Sequence, residues 1–238
     1  MSNHIVKSYD AEFAELDLLM AQMGGLAEKQ LADASAALLR RDPALANKAI
    51  DADRAIDQLE RQLQERAILM IAKRQPIAND LRHIMTVLKI ASDLERIGDL
   101  AKNIAKRARA VASETHPKPL MTGLGHMTEL ALEQLTDVLD AFSKRDGAKA
   151  LAVWRADAGL DALYNSIFRE LLTYMMEDPR NIGLCTHLLF AAKNIERVGD
   201  HTTNIAENIH FLVTGQVLND ERPKGDDTTS VMPAGRAG

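Results

Sequence analysis

Apolar residues recur at three- and four-residue steps along most of this chain, the spacing of helices that bury one face. Over 5–41 the stripe runs through Phe13, Leu16, Met20, Met23, Ala27, Leu31, Ala34 and Leu38. Gly24-Gly25 interrupts it without a proline, which predicts a close-packing point or a slight kink. Asp42 can cap and Pro43 suits a first helical position, so a second helix runs to about residue 73 with Ile56, Leu59, Leu63, Ala67 and Met70 inward. After Gln75-Pro76 a third covers about 77–111, with Ile84, Val87, Ala91, Leu94, Ala101 and Ala105 inward. His116-Pro117-Lys118-Pro119 is the clearest boundary, because prolines break helix interiors. The plan then repeats over about 120–144, 147–176 and, after Asp178-Pro179, to about 213, where Gly215 ends it. No segment alternates strictly with β-branched enrichment. The expected fold is therefore all-α: six long helices in two tandem three-helix up-and-down bundles. Residues 1–115 form the first repeat and 116–215 the second. Residues 216–238, rich in Asp, Thr, Gly and Pro, read as a disordered tail.

The two halves share sequence as well as plan. Leu94-Glu95-Arg96-Ile97-Gly98-Asp99 recurs 101 residues later as Ile195-Glu196-Arg197-Val198-Gly199-Asp200. Between residues 88 and 105, half of the 18 positions are identical to their counterparts at that offset. Chance does not produce this, so the chain is a tandem duplication. A second pair is duplicated at an offset of 104: Asp53 and Asp57 on the second helix, Asp157 and Asp161 on the fifth. Carboxylates four residues apart share one helix face.

Folding each hairpin about its turn brings these pairs to one height. With a turn near residue 74 or 75, Asp53 lies level with about residue 96 and Asp57 with about 92. With a turn near Asp178, Asp157 faces about residue 199 and Asp161 about 195. Helical angles place the acids on the rim of the seam, with Gly98 and Gly199 on the packing side, where a missing side chain lets helices approach. Four clustered acids repel unless a positive charge sits among them. Arg96 and Arg197 are candidates, as is a metal ion. All-oxygen ligands suit Mg²⁺, Mn²⁺, Fe or Zn²⁺, and Asn103 and Asn204 could add an amide oxygen. One Glu-x-x-x-Asp is ordinarily a solvated face; two copies, each matched to an Asp pair, favour a metal site.

Composition narrows the function. The chain is 46% hydrophobic but only 4% aromatic, which suits helix–helix packing. A net charge of −5 gives no electrostatic case for nucleic acid. No apolar leader or membrane span is evident, and the single cysteine, Cys185, fits a reducing compartment and a core position, so the expected location is cytoplasmic. Phosphate-binding loops, nucleophile elbows and the Glu-x-x-His pairs of di-iron bundles are absent. His201 reads as a surface residue, His83 and His187 as packing or surface, Trp154 as a packing anchor, and Met20, Met23, Met175 and Met176 as core or seam fillers.

These residues together resemble the PhoU family of phosphate-transport accessory and regulatory proteins. The resemblance spans about residues 5–215. It rests on Phe13 with Met23-Gly24, on Gln75-Pro76 with Asp80-Leu81-Arg82, on both Glu-Arg-[Ile/Val]-Gly-Asp stretches with their trailing Asn, and on Ala206-Glu207-Asn208-Ile209. It implies a cytoplasmic homodimer with multinuclear clusters of divalent or trivalent metal ions (Fe, Zn, Mn or Mg), and the duplicated carboxylates without any nucleophile, base or cofactor loop point to a non-enzymatic adaptor. Asp53, Asp57, Glu95 and Asp99 would hold one cluster, and Asp157, Asp161, Glu196 and Asp200 the other. It further implies negative regulation of phosphate uptake and of the phosphate-starvation response. Its partners would be the ATPase subunit of a phosphate ABC transporter and a phosphate-sensing histidine kinase. Asn181-Ile182-Gly183 stands where the second repeat would need Asp80-Leu81-Arg82, so equivalent partner surfaces at the two ends are not implied. A metal-dependent phosphate-ester hydrolase and a metal-free helical scaffold are the alternatives.

Overall fold

A computed structural model describes residues 2–115 and 117–218. Of the tail expected over residues 216–238, everything beyond residue 218 lies outside the described residues. Six long helices carry the chain: α1 (Ser2–Arg40), α2 (Pro43–Arg74), α3 (Ala78–Ala110), α4 (Lys118–Lys144), α5 (Gly147–Glu177) and α6 (Ile182–Thr214). A short 3₁₀ turn, Pro179–Asn181, precedes α6. None of these helices is long and apolar enough to cross a membrane.

The same joint is built twice. Arg41 and Arg145 both take positive φ, and the next residue's N–H returns to the carbonyl of Ala37 or Ala141, at 2.9 Å in each case. This closes the preceding helix with a left-handed cap. The residue that closes one helix also opens the next. Asp42 accepts from the N–H groups of Ala44 and Leu45, and Asp146 from those of Ala148 and Lys149. At the inter-repeat boundary α4 starts earlier than expected. Pro117 caps it and Pro119 sits in its first turn, where a missing N–H costs nothing. Gly215 at φ 75° ends α6, its N–H donating to Phe211 O.

The α1 helix runs unbroken through Gly24-Gly25. Gly24 is a close-packing point: a Cβ there would lie 2.8 Å from Leu139 Cδ2 on α4. Gly25 faces open space.

Within each repeat the three helices pack on one another, and α3–α6 and α1–α4 contacts cross between repeats. The buried apolar residues form one continuous cluster through both repeats. The α3 and α6 helices run antiparallel. Arg82 lies over Phe211, Asp93 reaches His201, and Arg107 lies over Phe190. This pairing brings Ile97 level with Val198, the two residues that the 101-residue offset superposes. The duplicated hexapeptides therefore cross at the centre of the molecule, about an approximate two-fold. Cys185, Met20 and Met23 are fully buried, whereas Met176, expected in a seam, is 78% exposed beside the α5–α6 turn. Trp154 packs inside and donates its Nε1–H to Glu207.

Candidate functional site

Each repeat assembles its acids from a hairpin, α2–α3 or α5–α6, with a third helix behind. In the first repeat Asp53 is 3% exposed, Asp57 and Glu95 are half-buried, and Asp99 is exposed. The helices approach closely at Gly98, where a Cβ would lie 3.1 Å from both Ile56 Cδ1 and Gln30 Oε1. Gln30 enters from α1 and donates to Asp53 and to the Ala49 carbonyl. Lys102, one turn beyond Asp99, bridges the hairpin: its ammonium donates to Asp53 of α2 and, at 3.3 Å, to Asp99 of α3. The hydrogen bond to Asp53 chiefly raises the Lys102 pKa. Glu95 is raised as well, first by burial and then by Asp99, Glu60, Asp57 and Asp53.

The second repeat holds its acids deeper. Asp157, Asp161 and Glu196 are 1%, 4% and 4% exposed, and Asp200 is half-buried. At Gly199 the hairpin closes further than at Gly98: a Cβ would run into Leu160 and lie 3.0 Å from Asp157 Oδ1. Gln134 of α4 stands behind, as Gln30 does in the first repeat. Lys193 donates to Glu196 Oε1 at 2.9 Å while lying over the Tyr164 ring. Glu196 Oε2 is buried with no hydrogen-bond partner. Burial pushes the Glu196 pKa up to about 7; Asp200 and Asp161 add to the rise, and Lys193 opposes it.

Several expectations change. The acids do not all line a rim, because Asp53, Asp157, Asp161 and Glu196 are buried. Close approach at the glycines, with a third helix behind, covers them. Asp157 lies against Gly199, as the hairpin register predicts. In the first repeat Asp53 meets Lys102 rather than residue 96. Lys102 meeting Asp53 and Gly98 lying against Ile56 put the register more than a turn from a hinge at residue 75, across a connection with three non-helical residues, 75–77. The same shift brings Glu60 to Glu95. Arg96 and Arg197 are exposed, and the cations that meet the acids are Lys102 and Lys193. His201 is buried, not superficial: its Nδ1 lies 2.9 Å from Asp93 Oδ1 across the α3–α6 contact. Asn204 also turns toward Asp93, at 3.5 Å. Among the described residues, no three Asp, Glu, His or Cys groups converge as the ligands of one metal ion would.

The residues missed had a signal. Gln30 and Gln134 stand at the same 104-residue offset as the Asp pairs. The lysines were hidden from repeat comparison because they are not duplicated; Thr203 stands at the place of Lys102, and Ser92 at that of Lys193.

Known proteins match this chain over nearly its whole length. A family model described as the PhoU domain matches twice, over residues 20–108 and 124–209. The phosphate-specific transport system accessory protein PhoU homolog of Rhizobium meliloti (strain 1021) is 55% identical over 229 residues, covering 96% of each chain. The phosphate-specific transport system accessory protein PhoU of Escherichia coli (strain K12) is 39% identical, over 99% of this chain and 96% of its own. The crystal structure of PhoU from Pseudomonas aeruginosa superposes with a TM-score of 0.85 at 39% identity, covering 87% of this chain and 100% of that one. With the six-helix fold in place, both repeats matched and relatives aligned almost end to end, the chain belongs to the PhoU family.

Proposed function

We propose that this protein is a cytoplasmic, non-enzymatic regulator that restrains phosphate uptake and the phosphate-starvation response when phosphate is ample. It acts as a homodimeric adaptor between the ATPase subunit of a phosphate ABC transporter and a phosphate-sensing histidine kinase. The observation that carries this reading is the near end-to-end similarity to relatives named as accessory proteins of phosphate-specific transport. The test is complementation in a bacterium lacking its own copy. In phosphate-rich medium, this chain is expected to return a starvation-responsive alkaline phosphatase reporter to its repressed level. A reporter that stays high, with the protein expressed and folded, overturns the proposal. Capture of the transporter ATPase and the kinase from cells grown with and without phosphate checks the partners.

The acid clusters are the proposed metal ligands, and the donor chemistry of the second repeat fits them. Its hard oxygen ligands include Glu196, whose Oε2 is buried without a partner, an arrangement that favours a bound cation. Asp157 and Asp161 of α5, with Glu196 and Asp200 of α6, would hold the ion once their side chains rotate toward one another. Bound metal would supply charge neutralisation that locks the two helices together. In the first repeat, with Asp53, Asp57, Glu95 and Asp99, Lys102 already spans the hairpin; that observation favours the metal-free reading there.

A further inference from the structure

We infer that the end of the molecule beside the α2–α3 turn holds a binding site for inorganic phosphate, in a cleft between α1, α3, α6 and the α4–α5 joint. The cleft has a volume of about 410 Å³, and Phe13, Asp80, Arg82, His83, Arg145 and Leu212 are among its lining residues. None of the proposed metal ligands lines it. Arg82 of α3 lies over the Phe211 ring, 5.3 Å from its centroid, and its guanidinium packs against the turn at Gly215. Among the described residues no carboxylate pairs with it. A cation seated on an aromatic face and a backbone turn keeps its field, whereas a paired carboxylate would cancel it. Arg145, in the α4–α5 joint, lies over Phe142 at 5.0 Å. Its Nη2 donates to Asp17 at 3.2 Å and lies 2.7 Å from His83 Nε2, while Nη1 is buried with no acceptor. His83 is fixed in turn by stacking on Phe13 and by Asp17, 2.8 Å from its Nε2. One carboxylate thus serves two groups, and half of the Arg145 fork is unspent, so an incoming oxyanion gains charge-assisted hydrogen bonds.

Asp80 decides which oxyanion fits. It is exposed in the first turn of α3, two residues before Arg82. A carboxylate repels a fully ionised anion but accepts a hydrogen bond from one that keeps a proton. Phosphate keeps a proton at neutral pH and sulfate has none. A phosphate monoester has mostly lost its own, its second pKa being about 6. Two guanidinium donors with one carboxylate acceptor are the donor set that suits hydrogen phosphate. The site occurs once in the chain. At the 101-residue offset Asn181, Gly183 and Leu184 stand in the places of Asp80, Arg82 and His83. In the matching joint of the first repeat, Arg41 donates to the Glu114 carbonyl at 3.3 Å. The Asp80-Leu81-Arg82 stretch that the second repeat lacks therefore supplies both a donor and the selecting acceptor.

Isothermal titration calorimetry of the full chain in phosphate-free buffer at neutral pH tests this, with inorganic phosphate, sulfate and glycerol 3-phosphate as ligands. One phosphate per chain is expected, bound at least about tenfold more tightly than either competitor, the scale of one charge-assisted hydrogen bond. Arg82→Gln and Arg145→Gln should each weaken phosphate by about tenfold or more. Asp80→Asn, an exposed and nearly isosteric change, should weaken phosphate and strengthen sulfate until the two bind alike. If Arg145→Gln melts well below the wild type, Arg82→Gln and Asp80→Asn carry the test. A folded wild type with no saturable phosphate binding overturns the inference, as does sulfate bound as tightly as phosphate. Phosphate affinity unchanged in both Arg82→Gln and Asp80→Asn overturns it too, because the ion then sits elsewhere. Each of these results leaves the regulatory reading standing, since that reading needs no contact between this chain and phosphate. Failed complementation, conversely, leaves the cleft's affinity for phosphate untouched.

Discussion

Glu196 shows most clearly what its surroundings do to a single side chain. Its pKa lies at about 7, well above an ordinary 4.5, chiefly because the carboxyl is buried. The folded chain therefore holds this proton more tightly than the unfolded chain. The resulting stability is fully present below pH 4.5 and is lost as pH rises through about 7. The loss is on the order of 3 kcal/mol. In chelator-containing buffer, urea unfolding across this range should show stability falling with pH for the wild type. Glu196→Gln should lack that contribution to the slope and be the more stable of the two at pH 8. A variant with an unchanged slope would contradict the assignment. The two motif glycines also separate at this scale. Alanine gains about 1 kcal/mol over glycine within a helix, and overpacking costs about 1–3 kcal/mol. Gly98→Ala meets Ile56 and Gln30 at 3.1 Å, side-chain ends that can give way, so melting is expected to change little. Gly199→Ala drives a methyl into Leu160 and against Asp157, and should lower the melting temperature clearly.

Helices meet here through joints that reuse one short pattern. Asp42 and Asp146 each satisfy two backbone N–H groups at the start of a helix, and each also donates its own N–H into the end of the helix before. Alanine at either position removes the side-chain half of that joint and should cost about 1 kcal/mol, measured by denaturant unfolding. Similar losses at the two sites are the expected result, since the local geometry is repeated. The hairpins are less alike than the joints. The α2–α3 connection includes residues 75–77 outside any helix, whereas α5 and α6 are separated by Asp178 and a 3₁₀ turn. That difference changes which side chains share a level, and with them the lysine each acid cluster receives.

At the scale of the molecule, the α3–α6 contact decides how the repeats behave. The shared core includes Ile97 and Val198, both fully buried, and the His201–Asp93 contact crosses it. Separating the repeats would expose that apolar face, so neither half keeps its burial alone. Calorimetry of the full chain should show one cooperative transition in which both repeats unfold together. A fragment of residues 1–115 should associate or lose fixed packing. Two independent transitions, or a folded monomeric fragment, would contradict the shared core.

The helices and the duplicated acid pairs were legible in the sequence because they rest on local rules. Periodic apolar faces, capping aspartates and helix-terminal glycines act over a few residues, and the duplication let each half check the other. Asp157 facing Gly199 was legible too, because the α5–α6 turn left the levels where counting put them. What lay beyond that reach depended on contacts between residues far apart in sequence. The register of α2 on α3, the burial of Asp53 and Glu196, and the turning of His201 toward Asp93 follow from how six helices pack at once. So does the choice of Lys102 and Lys193 over Arg96 and Arg197. Each arginine adjoins its glutamate in sequence, but successive helical residues point about 100° apart, and the lysines, three residues from an acid, share its face. The residues supplied the charges; helix packing decided which of them meet and how little water reaches them.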